Sequence, residues 1–456
     1  MWTKKHAEIL RAFFKELDTA KIRFFIDRGY EGLPDDNMSK DVDVIIDPKF
    51  STNAREILLD VFRRHGLTHF CLFYSGDHYV YRAINVEQKI AIHIDLFKGS
   101  QKKGIEVNSF DELYAQTVSY NGFRVTNGAY EGVRLFIAKI YGMSKPYFKT
   151  EYKEIVTHAW ETYPEFAVEL KKFIGTKLYK KIEFCLMAHD FDKLMTYSSE
   201  INQQLHIYTN RRHPLKNLLG RTKFLFYHLN RISLYYRKYE KSFAVVAPDG
   251  AGKTTFLEAL LEKLAFIYVC APGDLSMFHI YHHRPELLPN LGAIGEKTGV
   301  MKQDKDFTNP HRGKPVGFFN ALLRLIYYWL DYIIGWNFYV PCDVRMTRYT
   351  VFDRYSYDLL VDPRRTRISS LPLWIRKVFV ACMPHPKITF YIDVEPDEIY
   401  RRKQELCPEE IHRQVNMFRS IAAGSNKIIT IDGNRPVEQM VDDAIQILLN
   451  KFWKRL

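Results

Sequence analysis

The sequence predicts an α/β chain with three segments: an α+β N-terminal domain, a helical middle segment, and a C-terminal domain built on a parallel sheet. Three observations predict it. Phe243-Ala-Val-Val-Ala-Pro-Asp-Gly-Ala-Gly-Lys-Thr-Thr-Phe256 is an apolar run that enters a glycine-rich turn and leaves it in a helical pattern (Leu257, Leu260, Leu261, Leu264). Residues 1 to about 120 alternate strand-like and helix-like runs. From about residue 129 to 240 the apolar residues keep a helical period, as in Val133–Tyr141 and Phe166–Phe173. The expected boundaries are 1–125, 126–240 and 241–456.

The 456 residues carry 46% hydrophobic and 15% aromatic side chains, enough for packed cores and not the composition of a disordered chain. The net charge of +13 suits anionic ligands, an anionic membrane surface or nucleic acid without choosing among them. Six scattered cysteines with no CxxC pair argue against a structural zinc site or a disulfide framework, and a reducing cytoplasm is the expected setting. The N-terminal stretch reads as an amphipathic helix (Ile9, Leu10, Phe13, Phe14, Leu17), not as a secretory signal.

In the N-terminal segment, Lys21–Asp27, Val42–Ile46 and Ile90–Phe97 read as strands, and Glu56–His65 as a helix between them. The strand Ser39-Lys-Asp41-Val-Asp43-Val-Ile-Ile-Asp47 puts Asp41 and Asp43 on one face, because alternate residues share a side. Asp95 lies in a second apolar strand. Acids in buried strands are costly unless paired or metal-bound. Three converging carboxylates suit a hard divalent cation such as Mg²⁺; pairing with Lys40 and Arg82 is the structural alternative.

The join at 211–241 holds nine Lys/Arg against one acid, with interleaved aromatics. It admits three uses: a linking helix with solvated charges, docking to the anionic inner face of a membrane, and nucleic-acid binding. The first is favoured and the last is not expected. The apolar stretch Val316–Val340 contains Asn320, Arg324 and Asp331, and so reads as a buried helix rather than a membrane span.

In the C-terminal segment, Phe243–Ala247, Tyr349–Phe352, Ile388–Val394 and Lys427–Ile431 read as strands alternating with helices. The glycine-rich turn is a P-loop pattern. Backbone N–H groups of Gly250, Ala251, Gly252, Lys253, Thr254 and Thr255 would face a triphosphate, Lys253 would reach its β/γ-phosphates, and Thr254 would ligate Mg²⁺. The usual first glycine is Ala247 here, so the turn must need no positive φ there. Asp353, at a strand end, would orient Mg²⁺, and Arg354 would clamp a phosphate. Asp249 would face the phosphate acceptor as a hydrogen-bond acceptor or base, with helix capping as its structural alternative. Arg401, Arg402 and Arg413 follow a strand and suit a lid over the triphosphate; ordinary surface solvation is the alternative.

On Asp249-Gly-Ala-Gly-Lys-Thr-Thr255, Asp353-Arg354-Tyr355 and the Ile388–Gly433 end, residues 242–456 resemble the thymidylate kinase superfamily. The resemblance implies ATP and Mg²⁺ as cofactors and a small-molecule phosphate acceptor as partner. The acceptor side departs from that pattern at His279–Pro289, Asn309-Pro-His311 and Tyr357–Arg365. There it looks like thymidylate-kinase-like proteins of bacterial surface-glycan and lipopolysaccharide clusters, which implies a sugar or glycan precursor as acceptor. On the Asp41-x-Asp43 strand and Asp95, residues 20–140 resemble the nucleotidyltransferase superfamily, although Tyr30 stands where that family has a small residue. Together the resemblances imply a kinase joined to a nucleotide-binding or nucleotidyl-transferring domain. Alternatives are a dTMP kinase with an accessory domain and a membrane-docked nucleotide switch. The sequence assigns no oligomeric state.

Overall fold

The computed structural model describes residues 2–37, 39, 41–74, 78–143, 146–230, 240–269, 274–289, 316–345, 348–404 and 406–456. The chain divides into two compact units, Met1–Asn230 with Lys454–Leu456, and Arg231–Trp453.

The first unit opens with the amphipathic helix Lys4–Thr19, which buries Ile9, Leu10, Phe13, Phe14 and Leu17. Strand β1 (Phe24–Ile26) is shorter than Lys21–Asp27, because only three residues pair with β2 (Val42–Ile46). The helix Ser51–Arg64 follows, and then β3 (His69–Tyr74), β4 (His78–Asn85), β5 (Ile90–Lys98), a small hairpin of β6 (Ser100–Lys102) and β7 (Ile105–Asn108), β8 (Thr117–Tyr120) and β9 (Phe123–Thr126). Antiparallel β3 and β4 were not anticipated; they fall between β2 and β5 in the sequence but add to the far side of β5 in the sheet. β2 and β5 run parallel, with Asp43 directly opposite Asp95. The helix Gly128–Ile140 is capped by the Asn127 side chain, which accepts from the Ala129 N–H. It packs with helices Thr150–Thr162, Pro164–Met187 and Ser198–Arg212 around Phe136, Phe166, Leu170 and Ile182. Of the basic 211–241 segment, the helix Pro214–Asn230 is described, and 231–239 lie outside the described residues.

The second unit is a five-stranded, wholly parallel sheet: β10 (Ser242–Val246), β11 (Phe278–His282), β12 (Tyr349–Asp353), β13 (Ile388–Asp393) and β14 (Ile428–Asp432), in spatial order β11-β12-β10-β13-β14. A parallel sheet covered by helices on both faces needs continuous apolar strands, and every residue of β10 is buried. The four strands read from sequence agree with these within about a residue at each end. β10 is central, so the turn after it emerges mid-sheet at the carboxyl edge, where ligands bind in open α/β sheets. A short strand β15 (Lys454–Arg455) returns to the first unit and pairs with β3.

The apolar stretch near 316–340 lies in the helix Phe318–Arg345, which is buried on one face only. Ala321, Leu325, Tyr332 and Trp336 pack into the core, while Phe319, Leu323 and Phe338 are exposed. Asp331 is fully buried on the core side, where it accepts from the Arg284 guanidinium at 2.7 Å and from two backbone N–H groups. No helix among the described residues is long and apolar enough to cross a membrane.

Candidate functional site

The turn after β10 has the geometry its residues require. Gly250 and Gly252 take φ of 87° and 82°, the left-handed region that glycine enters without steric cost. A Cβ on Gly250 would lie 3.0 Å from the Lys403 Cβ. Ala247 keeps an ordinary φ, so the missing first glycine costs the turn nothing. Gly252 caps the helix Lys253–Ile267, whose open N-terminus carries the positive end of its dipole. Thr254 and Thr255 are exposed on its first turn.

Lys253 is buried, and its ammonium donates to the Asp353 carboxylate at the end of β12. Burial and nearby Arg354 lower the Lys253 pKa, against the pull of Asp353. For Asp353, burial acts upward, but the hydrogen bond and charge of Lys253 prevail and hold the carboxyl below its ordinary value.

Asp249 sits between two guanidiniums, those of Arg354 and Arg365. Burial again acts upward, and the two arginines overcome it, so this carboxyl is also lowered. Arg354 donates to Asp358 at 3.0 Å as well, and its backbone has φ 74°. Positive φ is rare for so bulky a residue, and such strain persists where the surroundings hold it, often at functional sites. His283 has φ 66°, lies 3.9 Å from Asp358, and is pushed down to about 4 by desolvation together with Arg354 and Arg365.

The structure therefore gathers Asp249, Lys253, Asp353 and Arg354 at one sheet edge. It adds Asp358, Arg365 and His283, whose roles sequence reasoning missed. Their only signal was proximity: Asp358 and Arg365 follow the Asp353-Arg354 pair, and His283 belongs to the divergent His279–Pro289 run. Arg402 reaches the loop, since a Cβ on Gly252 would come within 3.9 Å of its Nη1. Arg401 is mostly exposed and pairs with Glu398 at 2.6 Å. Arg413 donates to Glu410 and to the Val361 carbonyl, and no contact ties it to the loop among the described residues.

The residues at the loop fit a nucleoside triphosphate with Mg²⁺. Backbone N–H groups of 250–255 and Lys253 would hold the phosphates, and Thr254 and Asp353 would hold the ion.

The first unit's acids are arranged differently from the expected triad. Asp41 and Asp95 come together with His93, each offering a ligand atom within 4.8 Å of the others. The His93 ring shares a hydrogen bond of 2.9 Å with Asp95. Asp43 instead accepts from the Arg28 guanidinium, at 2.9 Å from Nε and 2.8 Å from Nη2. An imidazole in the set is softer than the all-oxygen shell Mg²⁺ prefers. Desolvation, with Asp41, Asp95 and Asp27 nearby, pushes Asp43 up to about 7 despite Arg28. Tyr30 packs edge-on against Tyr120 rather than leaving a gap.

Asp43 faces a cavity of about 380 Å³ shared with Asp27, Arg28, Glu131 and Arg134. Asp27 accepts from Arg134 at 3.1 Å and from the Thr126 hydroxyl at 3.2 Å. Burial, Asp27 and Glu31 push Glu131 up to about 8, with Arg28 and Arg134 opposing.

A scan against protein-family models and a search of curated proteins found no match. Among solved structures, the chain is similar to a thymidylate kinase from Ehrlichia chaffeensis, with 17% identity over 46% of this chain and 98% of that one, at a TM-score of 0.30. At that level the geometry of the site, rather than the likeness, carries the functional reading.

Proposed function

We propose that the second unit transfers the γ-phosphoryl group of ATP to a small acceptor, a nucleoside monophosphate or a sugar or glycan precursor. One observation carries this reading. A left-handed Gly252 opens the helix Lys253–Ile267 at the carboxyl edge of a parallel sheet, and Lys253 meets Asp353 on the adjacent strand. ATP with Mg²⁺ supplies the activated phosphoryl group. The chain's own contribution is positioning and charge. Backbone N–H groups and Lys253 hold the donor end, Asp249 orients an acceptor hydroxyl, and Arg354 and Arg365 draw in an anionic acceptor. Arg402 stands beside the loop, where closure would bring a further cation to the transferring group.

The test is label transfer with the full chain, Mg²⁺ and γ-labelled ATP, offered dTMP, other nucleoside monophosphates and an extract of sugars and phosphosugars. Label in an acceptor, lost in Lys253→Ala, supports the reading and names the acceptor class. No transfer to any acceptor overturns it. A second reading, nucleotidyl transfer by the first unit, is favoured only by the approach of Asp41 to Asp95. It requires α-label in a product, lost in Asp41→Asn.

A further inference from the structure

We propose that the first unit docks on a bilayer rich in anionic phospholipid through the helix Pro214–Asn230. The two faces of that helix differ. On one, Asn217 is buried and donates to the Thr209 carbonyl at 2.9 Å. Gly220 lies so close to the β6–β7 hairpin that a Cβ there would collide with the Gly104 carbonyl. Half-buried Phe224 and Tyr227 continue this packed face, and the Tyr227 hydroxyl donates to the Tyr74 carbonyl. The opposite face is apolar: Leu215, Leu218, Leu219, Leu225 and Phe226 are between 58% and 75% exposed. They recur at the three- and four-residue spacing of a single helical stripe. Scattered exposed apolar residues are ordinary, but a contiguous stripe marks an interaction surface. A linking helix with solvated charges would turn the opposite pattern outward.

Charge complementarity points to the occupant. The helix carries Lys216, Arg221 and Lys223 and no acidic residue. On a helical projection Arg221 borders the stripe on one side, and Lys216 and Lys223 border it on the other. Residues 201–239 contain no Asp or Glu at all. Beside the stripe lies a pocket of about 550 Å³, lined by Lys98, Lys216 and Lys223, by Tyr74 and Leu219, and by one acid, Glu106. Lys216 pairs with Glu106, and Lys98 donates to the Tyr79 hydroxyl at 3.1 Å, so the pocket keeps a net positive charge. Leu219 belongs to both pocket and stripe, which places an anion site next to an apolar surface. A phospholipid has the matching pair, an anionic head joined to an apolar tail. Leucine and phenylalanine on one face with flanking cations is the make-up of a helix lying in a membrane interface. A second copy of the chain seated on the stripe would set these lysines against like charges, which costs affinity. This surface is separate from the phosphoryl-transfer reading and requires no nucleotide.

The experiment is flotation of the full chain with vesicles of phosphatidylcholine alone or of equimolar phosphatidylcholine and phosphatidylglycerol, at low and high salt. The expected result is binding about ten-fold or more tighter to the anionic vesicles, weakened by salt. Leu218→Ser combined with Leu225→Ser alters only exposed positions, so it should abolish flotation while the urea unfolding midpoint stays unchanged. Lys223→Gln should lower the preference for anionic vesicles by about two- to five-fold. Failure of the wild-type chain to float with anionic vesicles overturns the proposal without recourse to a variant. So does equal flotation with neutral vesicles, or flotation that the double leucine variant retains. In a chain that ignores vesicles, a dimer dissociated by the leucine variant would give the stripe to a second copy. Calorimetric binding of glycerol 3-phosphate by such a chain would give the pocket to a soluble phosphate, and either result replaces the membrane as occupant.

Discussion

Two strand-end carboxyls, Asp353 in the second unit and Asp43 in the first, each meet a cation, and they respond in opposite directions. Asp353 is lowered because Lys253, Arg354 and His282 surround it with positive or donating groups. Asp43 is raised to about 7, because one arginine cannot offset deep burial with Asp41, Asp95 and Asp27 nearby. Around Asp353 each carboxylate is held by a cation: Lys253 meets Asp353, Arg354 meets Asp249 and Asp358, and Arg365 meets Asp249 and Asp362. Around Asp43 the Arg28 guanidinium faces several carboxyls at once. The same residue type in a buried strand thus reports how fully its charge is compensated.

The largest effect that would break this comparison is expected at Lys253. Lys253→Ala removes the buried cation that pairs with Asp353 and that, in the proposed reaction, would face the triphosphate. Loss of one such transition-state contact costs on the order of 3 kcal/mol, a hundred-fold or more in kcat. Single-turnover label transfer measures it. A variant within a few-fold of wild type would mean that this edge of the sheet does not hold the reacting phosphate.

Next is the backbone that builds the cradle. Gly250→Val asks a β-branched residue to adopt φ 87° with its Cβ against Lys403. Strain of this kind costs about 1–3 kcal/mol. Urea unfolding should show that loss, and ATP binding should weaken with it. Unchanged stability would mean that the turn relaxes and that the glycine is not a steric requirement.

pH sharpens the contrast between units. Asp43 and Glu131 are raised to about 7 and about 8 from 3.8 and 4.5. The native first unit therefore binds protons that the unfolded chain releases. Its stability from these groups is complete below about pH 4 and is lost as pH rises to about 8. Asp249 and Asp353 are lowered, so their contribution is present at neutral pH and is lost only on acidification below their ordinary range. Hydrogen exchange, corrected for intrinsic rates, should show β2 and β5 gaining protection from pH 8 to pH 5 while β10 and β12 lose it below about pH 6.5, because desolvated His283, held at about 4, stays neutral where the unfolded chain takes up its proton. Asp43→Asn should flatten part of the first trend. Equal slopes in both units would remove the distinction.

The sequence made the second site far more legible than the first, for a physical reason. A phosphate cradle is built from the backbone of consecutive residues, so Gly250–Thr255 carry their geometry in their order. β10, β12 and β13 were readable because parallel strands buried on both faces are continuous apolar runs, and the edge strand β14 by its β-branched residues, although it is largely half-buried or exposed. Asp43 was readable as a strand acid, but Asp41 stands just before β2 and turns to Asp95 and His93 rather than joining Asp43, and the partners of both were not readable. Arg28 reaches Asp43 across a loop, His93 shares a face of β5 with Asp95 two residues on, and the pairing of β2 with β5 brings Asp41 to both. Glu131 and Arg134 stand three apart on a helix, the spacing of one face, yet nothing in that spacing says a cavity lies beneath them. Likewise Arg365 finds Asp249 from 116 residues away, through tertiary packing alone.

The smallest predicted effect separates two adjacent arginines that the sequence could not distinguish. Both pair with Glu398, Arg401 at 2.6 Å and Arg402 at 2.8 Å, but Arg401 is 78% exposed whereas Arg402 also stands beside Gly252. A solvent-exposed helical ion pair contributes little to stability. Arg401→Ala should therefore shift the unfolding midpoint barely and leave kcat within about two-fold, because no contact among the described residues ties its guanidinium to the loop. Arg402→Ala removes a cation next to the phosphate cradle and should lower kcat by about ten-fold or more, with little change in stability. Both rest on the helix Pro396–Arg402, so a difference between them isolates side-chain direction from any property of the helix itself. Equal losses would mean that the helix must turn or move before either arginine acts, and the lid would then be defined by its motion rather than by the residue it now presents.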